Sequence, residues 1–383
     1  MEPNILRAQS TSEDPRVAAR EFFAAVNQPD LALVVFFCSS TYDLDALADE
    51  LNRLFGDTLV VGCTTAGEIG PAGYRSHSLA GASFNRAAAT PVAGRIDNLA
   101  DFEITRGHAF AKSLLEGLEA RVPKAAGSNT FALLLIDGLS IREEPVVRAV
   151  QSGLGSIHLI GGSAGDDLNF RRTCVFHAGA FHTDSAVLLL VHTPLPFRVF
   201  KTQHFASEDE RLVVTEADVA HRVVKEINGL PAAEEYARVI RSTAEDLDSA
   251  CFAAAPVVVV IDGTDYVRSI QKANADGTLT FYCAIDEGLV LRVARGRDLL
   301  GNLEATLAEI HHEIGPPRLI FGCDCILRNL EIERCGLTER VGKLLDENHT
   351  VGFSTYGEQY GGVHVNQTFT GIAIGDVGGR QRG

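Results

Sequence analysis

The 383-residue chain has no tryptophan, one methionine, and far fewer basic than acidic residues: 34 Lys+Arg against 50 Asp+Glu, a net charge of −16. A surface this acidic repels nucleic acid and anionic membranes, which excludes both as main partners. No apolar run approaches the roughly 20 residues that span a bilayer. The best are Leu31 to Phe37 and Pro256 to Ile261, which have strand length. Residues 1–15 are polar and carry no signal-peptide core, so the expected location is the cytoplasm. No C-x-x-C-H occurs, which excludes covalent haem attachment. The eight cysteines are scattered. In a reducing compartment they read as buried thiols, and Cys323, Cys325 and Cys335 fit no familiar zinc spacing.

What is present is ordinary globular usage, 46% apolar and 22% charged, enough for two or three domains at roughly 150 residues each. The informative feature is an internal repeat. Val61 to Glu68 and Val351 to Glu358 share the frame V-G-x-[ST]-T-x-G-E, and Leu159 to Asp166 is a looser third copy. Each copy follows an apolar strand, a helical pattern and a second strand, and each is followed by another strand. The fold class is therefore α/β with mixed sheets, in two domains built from duplicated strand–helix–strand–glycine turn–strand units. Pro194-Leu195-Pro196 suggests the boundary, giving an N-terminal segment 1–25 and domains 26–196 and 197–383. Asn228-Gly229 and Asp276-Gly277 predict hairpins, and Ala232 to Arg241 a helix. Leu303 to Glu313 reads as a solvated charged helix.

The turns suggest ligand-cleft candidates: Thr64, Thr65, Gly67 and Glu68; Ser163 and Asp166; Ser354, Thr355, Gly357 and Glu358, with Asn366 beyond. Hydroxyls and carboxylates beside turn N–H groups can line a cleft between domains, or simply satisfy the turn. Acids in place of basic residues argue against a phosphate cradle. Gly161 to Gly165 is formally G-x-S-x-G, but a polar loop follows where a nucleophile elbow needs a helix. A hydrolase using Ser163 remains the alternative from another functional class.

GCTTAGEIG (62–70), GGSAGDD (161–167), EINGLPAAEEYA (226–237) and GFSTYGEQYGGVHVNQT (352–368) together resemble FIST proteins, with an N-terminal and a C-terminal FIST domain. The resemblance implies an intracellular, non-enzymatic sensory module of bacterial signalling. Such a module binds a small ligand and passes the signal to a partner enzyme. With no catalytic output domain in this chain, the layout resembles the nitric-oxide-sensing haem proteins of the family, which implies haem b as cofactor and a histidine kinase as partner in a two-component system. An amino acid is the non-haem alternative, and a homo-oligomer is compatible with either. A haem iron needs an axial imidazole in an apolar pocket. His204, beside Phe205, and His364, after two glycines, are the lead candidates, with His177, His182 and His192 behind them.

Overall fold

Leu31–Ser39 is apolar on both faces. Leu33, Val35 and Phe37 join one buried cluster, while Val34, Phe36 and Cys38 join another. Such a strand must lie between a core and a helical layer. In the computed structural model, which describes residues 2–122, 124–261 and 263–376, that layer is two helices. Pro15–Val26 starts from an Asp14 cap with proline in its first turn, and Leu44–Phe55 starts from Asp43. Leu31–Ser39 pairs in parallel with Leu59–Thr65 and antiparallel with Leu79–Asn85, which in turn pairs with Ile5–Ser10. The sheet is mixed, as the repeat implied.

The same unit occurs three times. The second runs Thr90–Asp97, Ile104–Glu119, Thr130–Ile136, Glu143–Leu154, His158–Ser163 and Ser185–His192. The third has Phe197–Thr202, Leu299–Ile314, Leu319–Cys325, Thr338–Glu347, Thr350–Thr355 and Phe369–Ile374, with an extra helix Ile326–Arg334. Each unit therefore opens with a strand and a helix that precede the repeat found in the sequence.

Between the glycine turn and the last strand, each unit also extends a short hairpin, and it gives that hairpin away. The first unit's hairpin (Glu68–Gly70, Gly73–Arg75) adds to the third sheet, beside Thr350–Thr355. The third unit's hairpin (Glu358–Tyr360, Val363–Val365) adds to the second sheet, beside His158–Ser163. The second unit's hairpin (Val175–His177, Ala180–His182) adds to the first sheet, beside Leu59–Thr65. The exchange closes a ring, so the three six-stranded sheets share one interior. Phe37 stacks on Phe353 with ring centroids 4.6 Å apart, and Phe84 packs on Phe321. The frame glycines Gly62, Gly161 and Gly352 lie within strands: a Cβ there would come within 2.5, 2.0 and 1.9 Å of a neighbouring carbonyl oxygen.

The third unit carries an insertion between Phe197–Thr202 and Leu299–Ile314. It is an eight-stranded sheet that includes Phe205–Asp218, Val223–Ile227, Val257–Ile261, Thr264–Arg268 and Val290–Gly296, with helices Ala232–Ile240 and Ser249–Ala254. Its separate core gathers Leu212, Val224, Tyr236, Phe252 and Leu291. The expected Asn228-Gly229 hairpin is there, pairing Ile227 with Leu230, and Pro231 is the N-cap of the following helix, Ala232–Ile240. Leu299–Ile314 is not a wholly solvated helix. Leu303, Leu307, Ile310 and Ile314 are buried, and Glu304, Glu309 and Glu313 occupy the other face.

Candidate functional site

The three turns meet. Ala66 N donates to Ser354 O at 3.0 Å, Tyr356 N to Ser163 O at 3.3 Å, and Gly165 N to Thr64 O at 3.0 Å. Thr64, Ser163 and Ser354 thus hold equivalent places in a closed ring of backbone bonds. The turn candidates Thr64, Thr65, Glu68, Ser163, Ser354, Thr355 and Glu358 are all 0% exposed. Gly67, at φ 125°, has a backbone that other residues rarely adopt.

Glu68 accepts from Thr65 Oγ1, from Ser78 N at 2.9 Å and from Ser78 Oγ at 2.7 Å. Glu358 accepts from Thr355 Oγ1, from Thr368 N at 3.2 Å and from Thr368 Oγ1 at 2.7 Å. Burial pushes both carboxyls up to about 8, against these hydrogen bonds, so both are mainly protonated at neutral pH. In the middle unit Val175 pairs with Cys63 where Glu68 pairs with Phe353 and Glu358 with Gly162. Asp166, taken from the sequence as that unit's closing acid, instead orders the following loop. Its carboxylate accepts from the N–H groups of Phe170, Arg171 and Arg172 and from Tyr356 Oη. It also borders a cleft of about 470 Å³ with Ser40, Tyr42, Arg171 and Arg172.

The two lead histidines are both buried, in different surroundings. His204 Nε2 lies 3.0 Å from both oxygens of Glu331, and Arg328 Nη1 lies 3.4 Å from its Nδ1. A guanidinium only donates, so Nδ1 accepts and Nε2 carries its proton toward Glu331. Arg328 also pairs with Asp324 at 2.8 Å, and Asp324 accepts from Tyr74 Oη of the first unit's hairpin. Neither ring nitrogen of His204 is free for iron. His364 keeps an unpartnered Nε2. That atom faces the backbone of Gly357 and the Asn366 amide: a Cβ on Gly357 would lie 2.6 Å from it and 2.9 Å from Asn366 Nδ2. The surround is amide and guanidinium, not the apolar wall that a haem face needs. Burial pulls His364 down to about 4, so it is neutral at pH 7.

His364 belongs to a junction of three parts: the third unit's hairpin, the start of helix Glu143–Leu154, and the insertion. Arg268 of the insertion donates to His364 O at 2.8 Å. Gln359 donates to Ser163 Oγ at 3.1 Å. Arg222 of the insertion pairs with Glu143 at 2.7 Å and Glu144 at 2.6 Å. Burial opposes the Arg222 charge, and the two glutamates outweigh it. Buried polar atoms without partners concentrate here: Arg268 Nε, Ser269 Oγ, Gln359 Oε1, His364 Nε2 and Asn366 Nδ2. Buried polar groups are ordinarily paired, so such a group marks a place for water or a ligand. Of the sequence candidates, the junction gathers Ser163, His364 and Asn366. The sequence reading missed Arg222, Arg268 and Gln359. Gln359 stood in the repeat next to Glu358, whereas nothing local marks the arginines.

A second cavity is an open groove of about 1200 Å³ between the first and second units. Its lining includes Phe55, Phe110, Phe176, His177, Arg86 and Arg121. Among the described residues no group of three or more His, Cys, Asp or Glu is placed to hold a metal ion. Cys323 and Cys325 are buried in one strand and Cys335 is exposed. No helix of the described residues is long and apolar enough to cross a membrane.

A family model for the FIST N domain matches residues 32–230, and one for the FIST C domain matches residues 232–361. No curated protein matches the chain. Among solved structures, the chain is similar to cyanuric acid hydrolase from A. caulinodans at 7% identity and TM-score 0.41, covering 98% of this chain and 100% of that one. It is also similar to a cyanuric acid hydrolase described as an evolutionary innovation by structural concatenation, at 11% identity and TM-score 0.33, covering 77% of this chain and 99% of that one.

Proposed function

The chain belongs to the FIST family of sensory ligand-binding signalling proteins, and on that premise we propose that it works in the cytoplasm, binds a small ligand at the junction of the insertion with the turns, and signals to a partner histidine kinase. The carrying observation is the concentration of unpartnered buried polar atoms on Ser269, Gln359, His364 and Asn366. A ligand there touches the insertion and the three-sheet body together. Differential contact of that kind shifts the balance between arrangements of the two, which is what a partner reads. The reading is non-catalytic. Ser163 Oγ has an amide for a neighbour, and an amide takes no proton from a nucleophile. The test is a thermal-shift screen of small metabolites, amino acids included, against the wild type and Asn366→Leu. A ligand that raises Tm only in the wild type supports the site. Equal shifts in both overturn it.

Haem is the second reading, and the observation favouring it is the large groove rather than His204 or His364. His177 offers an imidazole there, Phe55, Phe110 and Phe176 an aromatic wall, and Arg86 and Arg121 cations for propionates. Haem held there would supply an iron centre for nitric oxide. Haemin titration followed by the Soret band tests it.

A further inference from the structure

The chain enters the insertion through Gln203-His204 and leaves it through Arg297-Asp298. The two crossings lie side by side. Phe205 and Gly296 are directly opposite each other in the insertion's first and last strands, and Arg297 N donates to His204 O at 2.8 Å. Terminal positions of elements absorb the backbone change when one part of a molecule turns against another. His204 pins the crossings to the body, its Nε2 lying 3.0 Å from both oxygens of Glu331.

Beyond that pin the insertion meets the body mainly through polar contacts. Its core cluster, from Leu212 to Val293, holds insertion residues only. Tyr282 packs against the body cluster that contains Ile326 and Tyr356. The rest of the seam includes Arg268 donating to His364 O at 2.8 Å, Arg222 paired with Glu143 and Glu144, and Ala284 N donating to Glu144. Parts of one chain joined by a polar seam ordinarily move relative to each other. Arg222 lies at the far end of the strand that starts beside the pin. That strand, Phe205–Asp218, has 14 residues, a span of up to about 45 Å, and Arg222 sits in the turn where Asp218 pairs with Val223. Arg222 is 7% exposed and Glu143 3%. A buried pair is favourable while the partners meet, and its charges are exposed to water again only when the parts separate. Such a contact favours two discrete arrangements over a gradual slide.

We propose that the insertion swings as a unit about the His204–Phe205 and Gly296–Arg297 linkages, and that Arg222 with Glu143 and Glu144 is the latch that holds it closed. The polar junction proposed above as the ligand site lies on the seam that this motion opens, and the motion does not depend on a ligand there.

Double electron–electron resonance on the full chain tests the latch. Nitroxide labels go on the exposed native Cys335 of the body and on Leu230→Cys in the insertion, in a Cys251→Ala background. The unlatched population should be small with Arg222 in place. Arg222→Gln should raise the population at a second distance about tenfold or more. Glu143→Gln/Glu144→Gln should do the same from the other side of the latch, which keeps the test sound if the arginine variant folds poorly. Arg7→Gln, which cuts the 2.8 Å Arg7–Asp346 pair between the first and third units, should leave the distance unchanged. A second label pair within the insertion, Leu230→Cys with the exposed Val260→Cys in a Cys251→Ala/Cys335→Ser background, should keep one distance in Arg222→Gln. An unchanged distribution in both latch variants overturns the inference and makes the insertion a fixed part of the body. A second distance shared equally by Arg7→Gln, or appearing within the insertion itself, means general loosening or local melting and overturns it too.

Discussion

Glu68 of the first unit and Glu358 of the third stand at equivalent places in two different sheets, each held by a threonine three residues before it and by a hydroxyl and N–H ten residues after it. The pair explains why the repeat ends in an acid. Each carboxyl ties its own turn to the start of its own last strand, while its backbone pairs with a neighbouring unit. The ten-residue span is the exchanged hairpin, so the acid staples shut the loop through which one unit reaches another.

Those staples predict a pH dependence. Each carboxyl titrates near 8 when folded, against about 4.5 ordinarily. Between these values the folded chain keeps a proton that the unfolded chain has lost, so stability falls as pH rises. The slope approaches about 1.4 kcal/mol per pH unit for each acid and levels off above pH 8. Glutamine mimics the protonated acid. Glu68→Gln/Glu358→Gln should therefore keep the fold and flatten the decline in urea-unfolding free energy between pH 5.5 and 8. An undiminished slope in the double variant would show that other groups set it.

The Asp324–Arg328 pair, each 1% exposed, makes the second prediction. Removing one partner strands a buried charge and costs about 3–5 kcal/mol, whereas replacing both with apolar residues costs far less. Arg328→Met should lower stability by that order, and Asp324→Leu/Arg328→Met should recover part of it. Because Tyr74 also bonds to Asp324, hydrogen exchange in Glu68–Gly70 and Gly73–Arg75 should quicken in the single variant. Loss confined to helix Ile326–Arg334 would separate the pair from the exchanged hairpin.

The repeated turn was legible because its chemistry is local: a strand glycine close to a carbonyl, two hydroxyls, a glycine at positive φ and an acid lie within eight residues. The helix Pro15–Val26 carried a readable start in Asp14-Pro15, but the strand before it did not. Ile5–Ser10 is six residues long, and its partner begins at Leu79. The exchange was illegible for the same reason. Strands of three residues such as Glu68–Gly70 have no period to detect, and the strand they join lies hundreds of residues away. The middle acid misled because nine residues, Asp166 to Cys174, sit between Gly165 and the strand position held by Val175. At the junction, Arg268 looks like an ordinary solvated strand cation until the third unit's hairpin, remote in sequence, offers it the carbonyl of His364.

Arg222 gives the third prediction. It joins the insertion to helix Glu143–Leu154 through two carboxylates, and its Nη1 also donates to Tyr282 O. Arg222→Ala leaves Glu143 and Glu144 shielded without their cation, so the interface should open locally before the molecule unfolds. Exchange should quicken in Val223–Ile227 and Leu279–Phe281, while Leu31–Ser39 and Thr130–Ile136 keep wild-type protection. Uniform quickening throughout would mean that the insertion and the three-sheet body unfold as one.

The last prediction separates the histidines. His204 engages both ring nitrogens, one with Glu331 and one with Arg328, so iron would have to break a buried polar chain to reach it. His177 lines the groove of about 1200 Å³, and burial lowers its affinity for protons, which keeps the ring neutral and able to ligate. Haemin titrated into the wild type, His177→Ala, His204→Ala and His364→Ala should therefore give a changed Soret band in the His177 variant alone. His204→Ala should instead lose stability, because Arg328 and Glu331 lose the imidazole that bridges them. A Soret band altered by His204→Ala but not by His177→Ala would return the iron to the strand histidine and remove the groove from consideration. A wild type that takes up no haemin would remove the second reading altogether and leave the polar junction as the sensory site.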